Sequence, residues 1–238
     1  MFIVPKKGRE PKTHIPIAIL IDCSESAEDI RDLMDRSIRE LLRQMNNKVQ
    51  LRSCVELLVI QYNDRFYAPA KFEYVENIKP GQLDIRSCEG TTHTGMAILK
   101  ALQMLRARRM EYIGKQEKCS KPLLFLFTDG YPDAGENAPK EMVEQVLLDY
   151  EDAAEQIKQM EKEDQLFFCA AGIQRKDGIS ADMQTLYKLS NYPRERIFQV
   201  IGDDNDRETV SKFCQKICEA AKAMEARTPP EEVLEDMI

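Results

Sequence analysis

Two stretches of the chain concentrate oxygen-bearing side chains where an apolar run stops. In IAILIDCSES, five apolar residues (17–21) lead into Asp22, and hydroxyls follow at alternate positions on Ser24 and Ser26. In LLFLFTDG, residues 123–127 lead into Thr128, Asp129 and Gly130. A third stretch, EGTTHTG at 89–95, sets three threonines before a helix-like segment. Oxygens crowded at strand ends need a common partner: a metal, a phosphate or the start of a helix. An all-oxygen set with few charges suits a hard divalent cation, held partly through water. Magnesium is the expected ion, with manganese or calcium as alternatives.

Other chemistries are poorly supplied. Only two histidines exist, His14 and His93, too few for a histidine-based triad or a zinc hydrolase site. Gly90 to Gly95 reads GxxxxG, but Met96 and Ala97 follow where a phosphate loop needs Lys and Ser or Thr. Asp22 has Ser24 two positions on, where an aspartyl phosphotransferase needs a second acid. Cys88 has Thr94 six residues later, where a cysteine phosphatase needs arginine. No catalytic residue is assigned, and His93 reads as a helix-start residue making local backbone contacts. The plainer alternative for Ser24 or Ser26 is to cap the helix that begins near Ala27.

The elements that must position these groups alternate in type. Apolar runs at 15–21, 55–62, 123–127, 166–171 and 197–201 read as strands. Helical stripes occupy 27–45, 94–110, 139–162, 180–189 with Ser180 as cap, and 206–225. Asn63-Asp64 turns into 65–70, an antiparallel edge strand. The expected fold class is α/β: a Rossmann-like, open, mostly parallel sheet with one antiparallel edge strand and helices on both faces. Asp22, Asp129 and the 89–95 loop then meet at the carboxyl edge, where such sheets bind ligands.

On these residues the chain resembles the von Willebrand factor A family. IDCSES is similar to its DxSxS signature, and TDG to the strand end that carries its distant aspartate. The family's threonine stands three residues before a glycine at a helix start, which implies Thr92 rather than Thr91 or Thr94. The resemblance covers roughly 13–224 and implies a metal-ion-dependent adhesion site of Asp22, Ser24, Ser26, Thr92 and Asp129. Cys23 and Glu25 replace the usual small residues, and Thr91 replaces a glycine. The stretches YIGKQEKCSKPLLFLFTDGYPDAG, FFCAAGI and DMQTLYKLS look like bacterial stand-alone domains of the tellurite-resistance type. That subgroup implies a stress-response or signalling setting, beside a Ser/Thr kinase and a PP2C-type phosphatase. The implied function is non-enzymatic: a partner's carboxylate completes the cation's coordination. A magnesium-dependent phosphoryl-transfer or hydrolytic enzyme, and a scaffold whose site is unused, are the alternatives.

Length and charge agree with one domain. The chain has 238 residues, 43% of them hydrophobic, and a net charge of −7, which disfavours nucleic acid and anionic membranes as partners. Residues 1–12 read as an extension, 13–226 as the domain and 227–238 as an acidic tail. Arg106, Arg108, Arg109, Lys115 and Lys118 read as a solvated helix end. Seven scattered cysteines (23, 54, 88, 119, 169, 214 and 218) fit no disulfide framework and suit a reducing setting. Cys214 and Cys218, one helical turn apart, read as packing residues. No 18-residue apolar run exists and the N-terminus lacks a signal-like stretch, so a cytoplasmic protein is expected.

Overall fold

The computed structural model describes residues 12–68, 71–174, 181–201 and 207–226. The 1–11 part of the extension, the tail and Ser180 lie outside them. Six strands run in the order β3-β2-β1-β6-β7-β8. They are β1 (Thr13–Asp22), β2 (Val55–Tyr62), β3 (Phe66–Tyr67), β6 (Leu123–Thr128), β7 (Phe167–Gln174) and β8 (Ile197–Ile201). Two short strands lie off this path: β4 (Glu73–Tyr74) pairs antiparallel with β2, and β5 (Lys118–Cys119) pairs parallel with β1. β3 is also antiparallel to β2. The edge therefore carries two antiparallel segments rather than the single strand expected, because the chain leaves the sheet at Ala68 and returns at Glu73.

The buried strands alternate between two half-cores, as a period of two requires. Ile17, Ile19, Ile21, Phe125 and Phe127 face Met34, Ile38 and Leu41 of α1 (Arg31–Asn46) and Phe213 and Ile217 of α7 (Arg207–Ala226). Ala18, Leu20, Leu124, Leu126 and Phe168 face Ala97, Ile98 and Leu105 of α3 (Thr94–Gly114) and Tyr150 and Ile157 of α4 (Lys140–Lys162). After β1 the chain crosses to the α1 face, and after β6 to the α4 face. That divergence between neighbouring strands opens a crevice at their carboxyl ends.

Several boundaries differ from the sequence pattern. The first helix opens as a 3-10 turn at Glu25–Ile30 before α1 begins. α2 (Val49–Cys54), a helix of little more than one turn, is too short to show a helical period. α5 (Met183–Tyr187) is capped by Asp182, whose carboxylate accepts from Thr185 N at 3.1 Å; a further turn, α6, spans Pro193–Arg196.

Arg108 is not part of a solvated helix end. Its Nε and Nη2 donate to the two carboxylate oxygens of Glu56, each at 2.7 Å, and Glu56 is fully buried. The Tyr112 hydroxyl donates to the same carboxylate. His14 stacks on Tyr112 with ring centroids 4.0 Å apart, and its Nδ1 hydrogen-bonds the Tyr74 hydroxyl at 3.0 Å. This network closes the amino end of the sheet, opposite the crevice.

Candidate metal centre

Asp22 ends β1, its backbone in register with Tyr62 of β2. Its carboxylate is fully buried and fixed on both oxygens: Oδ1 accepts from Ser24 N at 2.9 Å, and Oδ2 accepts from the Thr128 hydroxyl at 2.6 Å. Thr128 Oγ1 also accepts from Gly130 N at 3.1 Å, which shapes the turn that presents Asp129. The Ser24 and Ser26 hydroxyls lie 3.1 Å apart, and Ser26 Oγ donates to Asp129 Oδ1 at 3.1 Å. Asp22, Ser24, Ser26 and Asp129 thus form one hydrogen-bonded group in the crevice between β1 and β6.

For Ser24 the capping alternative fails on geometry; Ser26 lies inside the 3-10 turn Glu25–Ile30 rather than at its cap, its hydroxyl donating to Asp129. Ser24 does hold the N-cap position of the 3-10 turn, with extended backbone at φ −67° and ψ 164°. Its side chain makes no capping bond and turns instead to Ser26.

Thr92 lies on the 89–93 loop, which backbone bonds tie to the 23–25 segment, to Asn63 and to Asp133. Glu89 N donates to Cys23 O at 3.0 Å, Glu25 N to Gly90 O at 3.1 Å, and Thr92 exchanges both backbone bonds with Asp133 at 3.0 and 2.9 Å. Thr92 is buried. Thr94 is committed elsewhere, its hydroxyl 3.3 Å from the buried Tyr62 hydroxyl. Thr91 lies on the rim, its methyl facing Gly135. Gly95 has a packing duty: a Cβ there would overlap the backbone of Asp149 and Tyr150, so glycine lets α3 approach α4 closely.

Two contributors escaped the sequence reading. Thr128 is the hydroxyl that fixes Asp22, visible in TDG only as one more oxygen at the strand end. Asn63 ties the 63–65 turn to the 89–93 loop: Oδ1 accepts from Arg65 N at 2.8 Å, Nδ2 donates to Glu89 O at 2.9 Å, and O accepts from His93 N at 3.1 Å. His93 contributes its backbone to that tie, but its side chain makes no local contact through Nε2, which is buried without a hydrogen bond. Glu25 is exposed on the rim.

Among the described residues, the donors to Asp22 are neutral. Burial pushes the Asp22 carboxyl up to about 6, and the charge of Asp129 adds to that; the bonds from Thr128 and Ser24 oppose it. Burial holds the Tyr62 phenol well above its ordinary value, with the Asp22 charge next in size. Among the described residues no three His, Cys, Asp or Glu side chains gather as a metal cluster. A cation here would rest on two carboxylates, three hydroxyls and water, and that donor set fits a hard divalent ion.

A family model for the von Willebrand factor type A domain matches residues 17–212. No curated protein matches the chain. Among solved structures, the pilus adhesin SpaC from Lactobacillus rhamnosus GG is similar with a TM-score of 0.62 at 15% identity, covering 91% of this chain and 31% of that one. A von Willebrand factor type A protein from Catenulispora acidiphila gives 0.56 at 12% identity, covering 88% and 43%. Proximal thread matrix protein 1 from the mussel byssus, in a form with a zinc-occupied metal-ion-dependent adhesion site, gives 0.53 at 15%, covering 87% and 45%. The chain spans less than half the length of each of these three, and at such identities the likeness is one of fold. With a matching family model over most of its length and the fold to go with it, the chain belongs to the von Willebrand factor type A domain family.

Proposed function

We propose that this domain is a non-enzymatic, metal-dependent module that binds a partner protein through a carboxylate. The observation that carries the reading is the joined group of Asp22, Ser24, Ser26 and Asp129 in the β1/β6 crevice, with Ser24 declining the cap. Ser24, Ser26 and Thr92 would hold a divalent cation, magnesium first, through neutral oxygens, with Asp22 and Asp129 supplying the negative charge. Such an ion supplies a Lewis-acidic position for a partner's Asp or Glu. The chain's own part is orientation: Thr128 and Ser24 N fix Asp22, Asp129 holds the Ser26 hydroxyl, and Asn63 steadies the loop that brings Thr92.

The partner we propose is a Ser/Thr kinase or PP2C-type phosphatase encoded nearby, in a bacterial stress-response or signalling system of the tellurite-resistance type, in the cytoplasm. Among the described residues no helix is long and apolar enough to cross a membrane. The test is thermal unfolding with and without millimolar magnesium or manganese. An ion that binds only the folded state raises the melting temperature by mass action. Asp22→Ala and Asp129→Ala should remove the rise while preserving the fold. A wild-type protein that shows neither a rise nor bound metal overturns the reading.

A further inference from the structure

Near the edge, the β2 face toward α1 is covered among the described residues by turns rather than by a helix. Between β4 and α3 the chain instead makes two 3-10 turns, Val75–Asn77 and Pro80–Leu83. A cavity of about 530 Å³ lies here, lined by Leu57 and Val59 from β2 and by Ile78 and Leu83 from the turns. Close-packed interiors leave few voids larger than a water molecule, whereas small-molecule sites run from roughly 300 to 1,000 Å³.

The polar lining is mostly committed. Gln61 Nε2 donates to Asp84 O at 3.0 Å and its Oε1 accepts from Arg86 N at 2.7 Å. Gln82 accepts from Lys79 N at 2.8 Å, and Lys71 pairs with Glu73 at 3.0 Å. Arg86 differs: its guanidinium lies 4.5 Å above the Tyr67 ring centroid, and it makes no ion pair among the described residues. Tyr67 and Arg86 also line a second cavity of about 210 Å³ that reaches Cys23, Asn63 and Glu89. Four aliphatic walls, an aromatic plate and one uncommitted planar cation describe a receptor for an amphipathic anion.

We propose that this cavity binds a small monocarboxylate, its apolar body between Leu57, Val59, Ile78 and Leu83 and its carboxylate on Arg86. A guanidinium matches a carboxylate with two parallel hydrogen bonds, which makes the head group specific. The site is separate from the proposed metal centre and does not depend on it.

The probe is octanoate, with 1-octanol lacking the charge and acetate lacking the body. Calorimetry on the full chain should show saturable octanoate binding and a raised melting temperature, with weaker octanol and no acetate binding. Arg86→Gln, an exposed position, should weaken octanoate about tenfold, that is about 1.4 kcal/mol, and leave octanol unchanged. Val59→Phe should fill the cavity and abolish binding; if it does not fold, Arg86→Gln decides alone. Asp22→Ala should bind octanoate like the wild type, which separates this result from the fate of the metal centre. Absence of saturable octanoate binding, or octanoate affinity that Arg86→Gln does not reduce, overturns the proposal.

Discussion

Asp22 and Glu56 are both fully buried carboxylates on adjacent strands, one at the carboxyl end of β1 and one near the amino end of β2. Their surroundings drive them in opposite directions. Burial alone would raise Glu56, but the bonds from Arg108 and Tyr112 overcome it and hold its carboxyl below the ordinary value. Among the described residues Asp22 receives only neutral donors, and with Asp129 near it burial pushes its carboxyl up to about 6. A buried charge needs a partner of opposite sign. The amino pole contains its own in Arg108; at the carboxyl pole the described residues bonded to Asp22 are neutral, and the cation proposed above would take that role.

The contrast can be broken by substitution. Arg108→Met strands Glu56 and should destabilise the protein by about 3–5 kcal/mol in denaturant unfolding. Asp22→Asn should act with the opposite sign in chelator at pH 7.5. The folded protein holds this carboxyl near 6 against 3.8, so the charged form is penalised in full above pH 6. Removing it should gain about 1–3 kcal/mol, the upper end being the shift itself, and the gain should shrink as pH falls below 6 and vanish below about pH 3, where the carboxyl is neutral in both the folded and the unfolded protein. A loss at pH 7.5 would show that the two poles do not differ. With magnesium the ranking should invert, because only the wild type gains from the ion.

Thr92→Ala sharpens the same pole. It should weaken magnesium and metal-dependent partner binding about tenfold, the size of one lost oxygen ligand, with little change in chelator stability. Cleaving the tail after Arg227 should matter less to partner capture. Partner binding that survives both chelator and Thr92→Ala would move the interface off this edge.

His14 gives the smallest effect. Burial lowers its imidazole from 6.5, outweighing Glu56 and Glu117, which raise it; Arg108 and Lys12 add to the lowering. The unfolded chain therefore takes up the proton first as pH falls. This contribution is complete above about pH 6.5 and declines below it. At this size 1 kcal/mol moves the melting temperature by about 2–4 °C, so a step of about 2 °C or less is expected between pH 7 and 5. His14→Gln should flatten it.

The two poles were not equally legible in the sequence. The carboxyl pole is written locally: DCSES and TDG each follow an apolar run, and parallel strands must bring such ends together. Thr128 and Asn63 were missed because their roles depend on partners far along the chain, Asp22 at 106 positions and Glu89 at 26. At the amino pole, Glu56 and Arg108 are 52 positions apart, with no motif around either. Arginines grouped at a helix end look solvated until the fold places a buried acid beside one. Long strands and helices matched their periodicity to within a few residues; α2, β4 and β5 are too short to have one.

The cysteines give the molecule a built-in pair of attachment points. All seven are free, and five are buried, leaving Cys88 and Cys119 partly exposed. Cys88 precedes the loop that carries Thr92, and Cys119 pairs with His14 in β5, so one handle marks each pole. Burial raises the Cys119 thiol to about 11, and a shared hydrogen bond with Cys23 together with burial raises Cys88 as well. Both should couple slowly near neutrality and faster in mild alkali, where thiolate is more abundant. Spin labels on the unmodified sequence would then read the distance across the sheet, and its response to magnesium, without a single engineered residue.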